Sequence, residues 1–157
     1  MTPDASASSD YDHLHLLLVD DDGLLLDIMQ DALHGLGVGS IQLANTGLEG
    51  LHVYKHSNPP INAIICDLCM PELGGMEFLG HLARAGCKAE VVIMSGHNRT
   101  PPPYSNWTLG NYNGPVLNLA EKMARIQGIT VRASFEKLFS VSIRPVGPTF
   151  VEAHQAV

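Results

Sequence analysis

The sequence predicts an α/β fold in which helices cover both faces of a parallel, five-stranded sheet, a doubly wound arrangement. Five short apolar runs alternate along the chain with segments of helical periodicity, and these runs are apolar enough to be buried on both faces. The 157 residues suffice for one domain with a substantial core but not comfortably for two. An apolar fraction of 45% is typical of a globular chain.

The strand predictions rest on short apolar runs that are bounded by polar or turn residues. The predicted strands are residues 14–19, 40–44, 61–66, 89–95 and 129–135. Because consecutive strands are separated by a helix, we expect them to be parallel.

The helix predictions rest on apolar residues spaced three or four positions apart. The predicted helices are residues 23–37, 46–56, 75–86 and 115–128. Asn58-Pro59-Pro60 closes the second helix, and Pro115 opens the fourth. The predicted apolar positions are Leu25, Met29, Ala32, Leu33 and Leu36 in the first helix, Met76, Leu79 and Leu82 in the third, and Leu119, Met123 and Ile126 in the fourth.

Three segments depart from this regular alternation. Residues 1–11 are rich in Ser, Ala and Asp and are predicted to be a disordered tail before a domain that spans residues 12–157. The connection over residues 97–114 is long and rich in Pro, Asn and Gly, which is typical of functional or flexible loops. In residues 140–157, two prolines stand where a closing helix belongs, so we predict an irregular last helix near 149–156.

Charge and composition exclude several classes of function. The net charge is −7 and the nine basic residues form no run, which argues against direct nucleic-acid binding. No apolar stretch is long enough to cross a bilayer, and no signal peptide opens the chain. Cys66, Cys69 and Cys87 are an odd number of cysteines, so a reducing, cytoplasmic location is expected. His52 and His56 could bind a transition metal, although their spacing supplies only two ligands.

Polar residues follow the predicted strands at one edge of the sheet. Three aspartates at 20–22 follow the first strand, Asp67 follows the third, Ser95 ends the fourth, and Lys137 follows the fifth. Ligands of open α/β sheets bind at this edge. Converging carboxylates suit Mg²⁺, a lysine and a hydroxyl suit a phosphoryl group, and an aspartate can itself accept that group.

These residues lie in four segments, LLLVDDD, IICDLCMPELGG, VVIMSG and FEKLF, which resemble the signatures of a response-regulator receiver domain of two-component signalling. The resemblance covers about residues 12–139, and the most specific piece is DLCMP with Gly75 eight residues after Asp67. It implies a flavodoxin-like (βα)5 fold. The helix and strand over 116–139 resemble, more narrowly, receivers fused to EAL-type cyclic-di-GMP phosphodiesterases.

The resemblance implies a role for each matching residue. Asp67 corresponds to the phosphoryl acceptor, and Asp21 to a direct Mg²⁺ ligand. Asp20 acts on the ion mostly through water, and the backbone carbonyl of Cys69 is a further metal ligand. Mg²⁺ is the expected cofactor.

Two further residues complete the implied site. Ser95 matches the hydroxyl that binds the phosphoryl group, and Lys137 matches the lysine that pairs with it. From position alone, Asp22 is a plausible N-cap of the first helix.

The chain departs from the family pattern at three places. Leu138 follows the lysine where the family normally has proline. Ser134, beside Phe135, occupies the position that is commonly aromatic three residues before the lysine. The connection after Ser95 is far longer than usual.

The function implied is that of a phosphorylation switch and not of an enzyme with turnover, although receivers assist their own phosphorylation and dephosphorylation. The expected partners are a sensor histidine kinase or phosphotransfer protein and a downstream protein target or a missing output domain. A homodimer is also compatible with the resemblance, whereas nucleic acid and membrane are not expected as partners.

Two other functions stay open. A degenerate receiver could act as a constitutive protein-binding module, as Leu138 and the irregular tail suggest. A haloacid-dehalogenase-like phosphatase also uses Asp, Ser or Thr, Lys and Mg²⁺, but it needs an Asp-x-Asp pair, and position 69 is Cys.

Overall fold

The computed structural model describes residues 9–96 and 114–137. The predictions for the N-terminal segment up to residue 8, for the connection at 97–113 and for the last helix lie outside the described residues. Residues 9–11 form part of a turn, in which the Ser9 hydroxyl donates to the carbonyl oxygen of Leu36 (2.7 Å).

Five strands alternate with four helices in the described residues, close to the predicted bounds. They are β1 (His15–Val19), α1 (Gly23–Gly35), β2 (Ser40–Ala44), α2 (Gly47–His56), β3 (Ala63–Asp67), α3 (Gly75–Arg84), β4 (Glu90–Gly96), α4 (Gly114–Ile126) and β5 (Thr130–Lys137). Asp67 and Lys137, which we expected just after their strands, are the last residues of β3 and β5. Of these helices, none has the length and apolar content needed to cross a membrane.

The five strands form one parallel sheet in the order β2-β1-β3-β4-β5, which confirms the predicted doubly wound, flavodoxin-like architecture. The chain moves from β1 to one side of the sheet and then returns to the other side at β3. In such sheets the crevice for ligands lies beyond the carboxyl ends of the strands at this point of reversal. Asp20 and Asp67 therefore stand at the mouth of the crevice.

The core has two layers, one on each face of the sheet. The larger cluster contains Phe78, Leu79 and Leu82 of α3, which are fully buried against sheet residues such as Val91 and Ile93. Two of the three apolar positions predicted for α3 are thus confirmed as fully buried, and the third is partly buried against the same cluster. The smaller cluster lies under α1 and contains Leu16, Leu18, Leu26 and Val38.

The predicted inner face of α1 is partly wrong. Met29 and Leu33 pack against the core as expected, but Ala32 is exposed and Leu36 is 57% exposed. The buried residue is Leu26, which is 1% exposed. Three consecutive leucines at 24–26 fit several helix rotations equally well, so the spacing of apolar residues could not select the correct one.

The predicted inner face of α4 is wrong as well, although the helix itself is confirmed. Leu119, Met123 and Ile126 are 62%, 41% and 80% exposed. The helix instead buries Leu117 together with two alanines, Ala120 and Ala124. Alanines allow the helix backbone to approach the sheet closely, whereas a pattern read by hydrophobicity favours the larger side chains.

Candidate functional site

The first part of the site forms where β1 ends and the chain turns into α1. Asp20 is fully buried, and its N–H donates to the carbonyl oxygen of Ala44 at the end of β2 (3.1 Å). Its Oδ1 accepts the N–H of Asp22 (2.9 Å), and the Asp22 carboxylate caps α1 by accepting the N–H of Leu25 (3.2 Å), as predicted. Asp21 is exposed. These turns hold Asp20 inward and leave Asp21 open to solvent.

The second part of the site is Asp67, which is 3% exposed. Its Oδ1 accepts the N–H of Cys69 (3.2 Å), so the chain folds back on itself directly after β3. The start of α3 presses against this turn, since the N–H of Gly75 donates to the carbonyl oxygen of Leu68 (3.0 Å). A Cβ built on Gly75 would lie 2.5 Å from the Leu68 Cα. A side chain at position 75 is therefore incompatible with the path of the backbone beside Asp67.

The third part of the site is Lys137, whose side chain crosses from β5 over β4 to the acidic residues. Its side chain is 9% exposed, and its Nζ forms ion pairs with Oδ2 of Asp20 and with Oδ2 of Asp67, the latter at 3.0 Å. Three segments that are distant in sequence thus meet at one point. We call Asp20, Asp21, Asp67 and Lys137 the acidic pocket.

The remaining predicted residues lie beside the acidic pocket. Cys69 is an exposed residue that touches it through its backbone N–H. Ser95 is 1% exposed and follows Met94, the residue that pairs with Asp67 in the sheet. The structure therefore brings together four of the six predicted residues and puts the other two on adjoining positions at the same edge, while their functional roles stay predictions.

Burial dominates the electrostatics of the pocket. It is the largest influence on the two buried carboxyl groups and raises the pKa of Asp20 and of Asp67, against the opposing effect of Lys137. Burial by itself would lower the pKa of Lys137, but hydrogen bonds and charge from the two aspartates outweigh it and raise that pKa. The ammonium is therefore charged at neutral pH, and it is shared between the two buried carboxyl groups.

The donor set of the pocket fits a hard divalent cation. Asp20, Asp21 and Asp67 each offer a carboxylate oxygen, and these three oxygens lie within 4.8 Å of one another. Mg²⁺ takes oxygen ligands and is usually held by only a few carboxylates, with water or phosphate oxygens in the other positions. A bound cation would also favour the ionised forms of these carboxyl groups, which burial disfavours.

A second polar cluster joins α4 to β5 near the lysine. Ser134 donates to the Glu121 carboxylate (3.0 Å), which also accepts from Arg125 (2.8 Å). Arg125 donates in turn to the carbonyl oxygen of Val131 (2.7 Å). The hydrogen bonds from Arg125 and Ser134 lower the pKa of Glu121. Ser134 thus binds the helix through a hydroxyl at a position where the resemblance led us to expect an aromatic ring, and Leu138 lies outside the described residues.

Sequence reasoning missed the backbone donors of the site. The N–H groups of Asp22 and Cys69 each bind the aspartate two residues earlier, which is the spacing of an Asx turn. That spacing was a usable signal, because an aspartate directly after a strand often turns the chain in this way. The contact of Ser134 with α4 had no comparable signal, since it depends on the rotation of the helix.

Comparison with known proteins assigns the chain to a family. The family model described as response regulator receiver domain matches residues 16–107. Because this match covers more than half of the chain, the protein belongs to the response-regulator receiver family of two-component signal transduction. The matched range includes the predicted positions from Asp20 to Ser95, and Lys137 lies beyond it.

Individual relatives agree with this assignment. The transcriptional regulatory protein GlrR of Escherichia coli is 34% identical over 87 residues, which are 55% of this chain and 19% of that protein. The response regulator MprA of Mycobacterium leprae is 26% identical over 121 residues, which are 76% of this chain and 52% of that protein. The matches thus span about half or less of the length of these relatives.

Solved structures share the fold. A receiver domain protein from Clostridium thermocellum superposes with a TM-score of 0.61 at 21% identity, covering 81% of this chain and 84% of that one. The chemotaxis protein CheY4 of Vibrio cholerae gives a TM-score of 0.57 at 17% identity, covering 90% and 96%. The narrower resemblance to receivers fused to EAL-type phosphodiesterases stays a prediction.

Proposed function

We propose that this receiver accepts a phosphoryl group on Asp67 from the phosphohistidine of a sensor histidine kinase or a phosphotransfer protein. The observation that carries the proposal is the acidic pocket, in which Asp67 Oδ2 lies 3.0 Å from the Lys137 amine while the carboxylates of Asp20 and Asp21 converge beside it. A nucleophile, a cation and ligands for a second cation are thereby present at one point at the edge of the sheet.

In the proposed transfer, a carboxylate oxygen of Asp67 attacks the phosphorus in line with the phosphorus–nitrogen bond of the donor. An oxygen–phosphorus bond forms, the phosphorus–nitrogen bond breaks, and the imidazole, protonated on its other nitrogen, leaves as neutral imidazole with the electron pair. The attacking group must be ionised. Since burial raises the pKa of Asp67, positive charge in the pocket favours the reactive form.

Asp20, Asp21 and Asp67 would hold Mg²⁺, with the backbone carbonyl of Cys69 as a further ligand. The bound ion supplies positive charge to the carboxylates and to the phosphoryl oxygens. Asp21 suits direct contact because it is exposed, whereas Asp20 is buried and already paired with Lys137.

After transfer, the Lys137 amine would move from its ion pair with Asp67 to a phosphoryl oxygen, and the Ser95 hydroxyl would donate to another. These shifts would alter the carboxyl ends of β4 and β5 and with them the contact of β5 with α4. A downstream protein target or an output domain would read the altered surface, in the cytoplasm, where the three free thiols are stable. The chain would act as a switch that assists its own phosphorylation and dephosphorylation, without turnover of other substrates.

The test is phosphorylation of the purified chain by acetyl phosphate with Mg²⁺, followed by intact-mass measurement. We expect the mass gain of one phosphoryl group for the wild type and none for Asp67→Asn. Asp31→Asn is the matched control, because Asp31 is an exposed aspartate on α1 outside the pocket, and it should be labelled like the wild type.

Beryllofluoride distinguishes a switch from a constitutive binding module. A switch should show saturable, Mg²⁺-dependent shifts of backbone amide resonances in β4, β5 and α4. If the wild type gains no phosphoryl group and beryllofluoride changes nothing, the chain is a degenerate receiver. Turnover of a generic phosphate ester that depends on Asp67 would instead favour the phosphatase alternative.

A further inference from the structure

A second group of metal-ligating side chains lies on α2, outside the acidic pocket. His52 and His56 stand one helical turn apart, both are exposed, and their ring centroids are 4.3 Å apart with the planes tilted by 31°. The two imidazole rings therefore lie side by side on the same face of the helix.

One hydrogen bond fixes the tautomer of the neutral His56 ring. Its Nδ1 lies 2.8 Å from the backbone carbonyl oxygen of His52. A carbonyl oxygen can only accept, so Nδ1 carries the hydrogen, and Nε2 of the neutral ring retains its lone pair. Histidines that bind metals usually donate their second N–H to a carbonyl or carboxylate in this way, because the bond orients the ring and makes the ligand nitrogen more basic.

We propose that His52 and His56 bind one divalent first-row transition-metal ion, such as Zn²⁺, Ni²⁺ or Cu²⁺, with water in the other positions. A metal–imidazole bond is about 2.1 Å long, so the 4.3 Å between the ring centres is a spacing at which one ion could contact a nitrogen of each ring after the side chains rotate. Among the described residues, the clusters of three or more potential ligands are confined to the acidic pocket, so this site offers two protein ligands.

The surroundings favour a cation at this place. His56 is the last residue of α2, and the carbonyl groups at a helix C-terminus attract positive charge. Glu49 lies on the same helix face as the two histidines, although its Oε2 accepts the N–H of Asn45 (2.8 Å). Lys55, in the same last turn of α2, carries a positive charge that opposes the binding of a cation.

This site is distinct from the acidic pocket in position and in chemistry. Helix α2 begins just after the carboxyl end of β2 and runs back about 15 Å towards the start of β3, so His56 lies away from the edge that carries Asp67. Imidazole ligands select transition metals, whereas the carboxylates of the pocket suit Mg²⁺. The proposal is therefore independent of phosphorylation.

The test is a titration of the full chain with Ni²⁺, followed through the ring resonances of the histidines, with millimolar Mg²⁺ present to occupy the acidic pocket. Ni²⁺ is paramagnetic, so it broadens the resonances of the rings it binds. We expect the signals of His52 and His56 to broaden first and together, and Zn²⁺ to compete for the same site.

Three variants complete the experiment. His52→Ala and His56→Ala should each weaken binding by about tenfold or more, because losing a ligand costs at least as much as losing the hydrogen-bond partner of a ligand. His34→Ala is the matched control, since His34 is a single exposed histidine on α1, and it should leave the midpoint unchanged. Asp67→Asn should also leave it unchanged.

The outcomes separate two explanations. If His52→Ala and His56→Ala both keep the wild-type midpoint, or if His34→Ala weakens binding as much as they do, the pair is only a stacked helix terminus and the proposal is wrong. Circular dichroism of each variant identifies any loss of helix, and a variant that unfolds is replaced by His→Gln at the same position.

Discussion

Gly75→Ala probes how closely the start of α3 is packed against the proposed acceptor. The φ angle of Gly75 is not positive, so the need for glycine is one of space and not of conformation. The added methyl would lie 2.5 Å from the Leu68 Cα and 3.0 Å from the carbonyl carbon of Asp67. Carbon atoms in contact are about 3.5 Å apart or more, so the backbone that carries Asp67 must move by about 1 Å.

The expected magnitude follows from this overlap. Overpacking of this kind costs about 1–3 kcal/mol, and in a chain of this size each kcal/mol corresponds to about 2–4 °C in Tm. Gly80→Ala is the matched control on the same helix, because its Cβ would meet only the Gln127 Oε1 at 3.8 Å. It should gain up to about 1 kcal/mol, since alanine is the better helix former.

The assay combines thermal unfolding with the acetyl-phosphate labelling described above. We expect Gly75→Ala to lower Tm by several degrees and to slow labelling even below its Tm, because the Asp67 carboxylate is displaced with its backbone. Gly80→Ala should be labelled like the wild type. A Gly75→Ala chain that is as stable as Gly80→Ala and is labelled at the same rate would refute the packing argument.

Three further outcomes are expected. Lys137→Met should lose about 3 kcal/mol or more of unfolding free energy at neutral pH, because it leaves two buried carboxylates unpaired. Burial raises the pKa of these carboxyl groups, so the folded variant binds protons more readily than the unfolded chain does. Its free energy of unfolding, measured with urea, should therefore increase as the pH falls from about 7 to about 5. Iodoacetamide should modify the exposed Cys69 and spare Cys66, because burial raises the pKa of the Cys66 thiol to about 12. Peptide mass mapping measures the modification of each cysteine, and equal modification of the two in the folded chain would contradict the prediction. Ser134→Ala should speed amide hydrogen exchange in α4, because the Glu121 carboxylate then loses its hydrogen bond to β5, and unchanged exchange would mean that this bond does not restrain the helix.

The acidic pocket could be predicted from the sequence because a parallel sheet converts distance along the chain into proximity at one edge. Asp20 and Asp67 follow or end neighbouring parallel strands, so their approach requires only that these strands pair. Lys137 was expected at the same edge, but its ion pairs with both aspartates were not. These ion pairs depend on the long Lys137 side chain that crosses β4, and strand order alone does not determine where its amine lies.

The helix faces could not be predicted in the same way. A strand has only two faces, so one buried residue fixes the others, whereas a helix can rotate by small steps and still bury part of an apolar stripe. In α4 the alanines at 120 and 124 are inward, and Leu119 and Met123 are outward. The deciding factor is the close fit of a small-residue face against the sheet, which becomes visible only in the folded chain.

Placing the acidic pocket at the edge of an otherwise apolar sheet costs folding free energy. Ionised carboxylates that are buried together disfavour the folded chain, and their raised pKa values express that cost. Lys137 offsets part of it by standing between Asp20 and Asp67, in the place where the added charge of a phosphoryl group would develop. In the proposed transfer, an incoming phosphoryl group would therefore compete with both aspartates for the same ammonium. If phosphorylation moves Lys137, the carboxyl end of β5 must respond, because that residue ends the strand. Through Ser134 and Glu121, α4 is fastened to this strand and would receive the change.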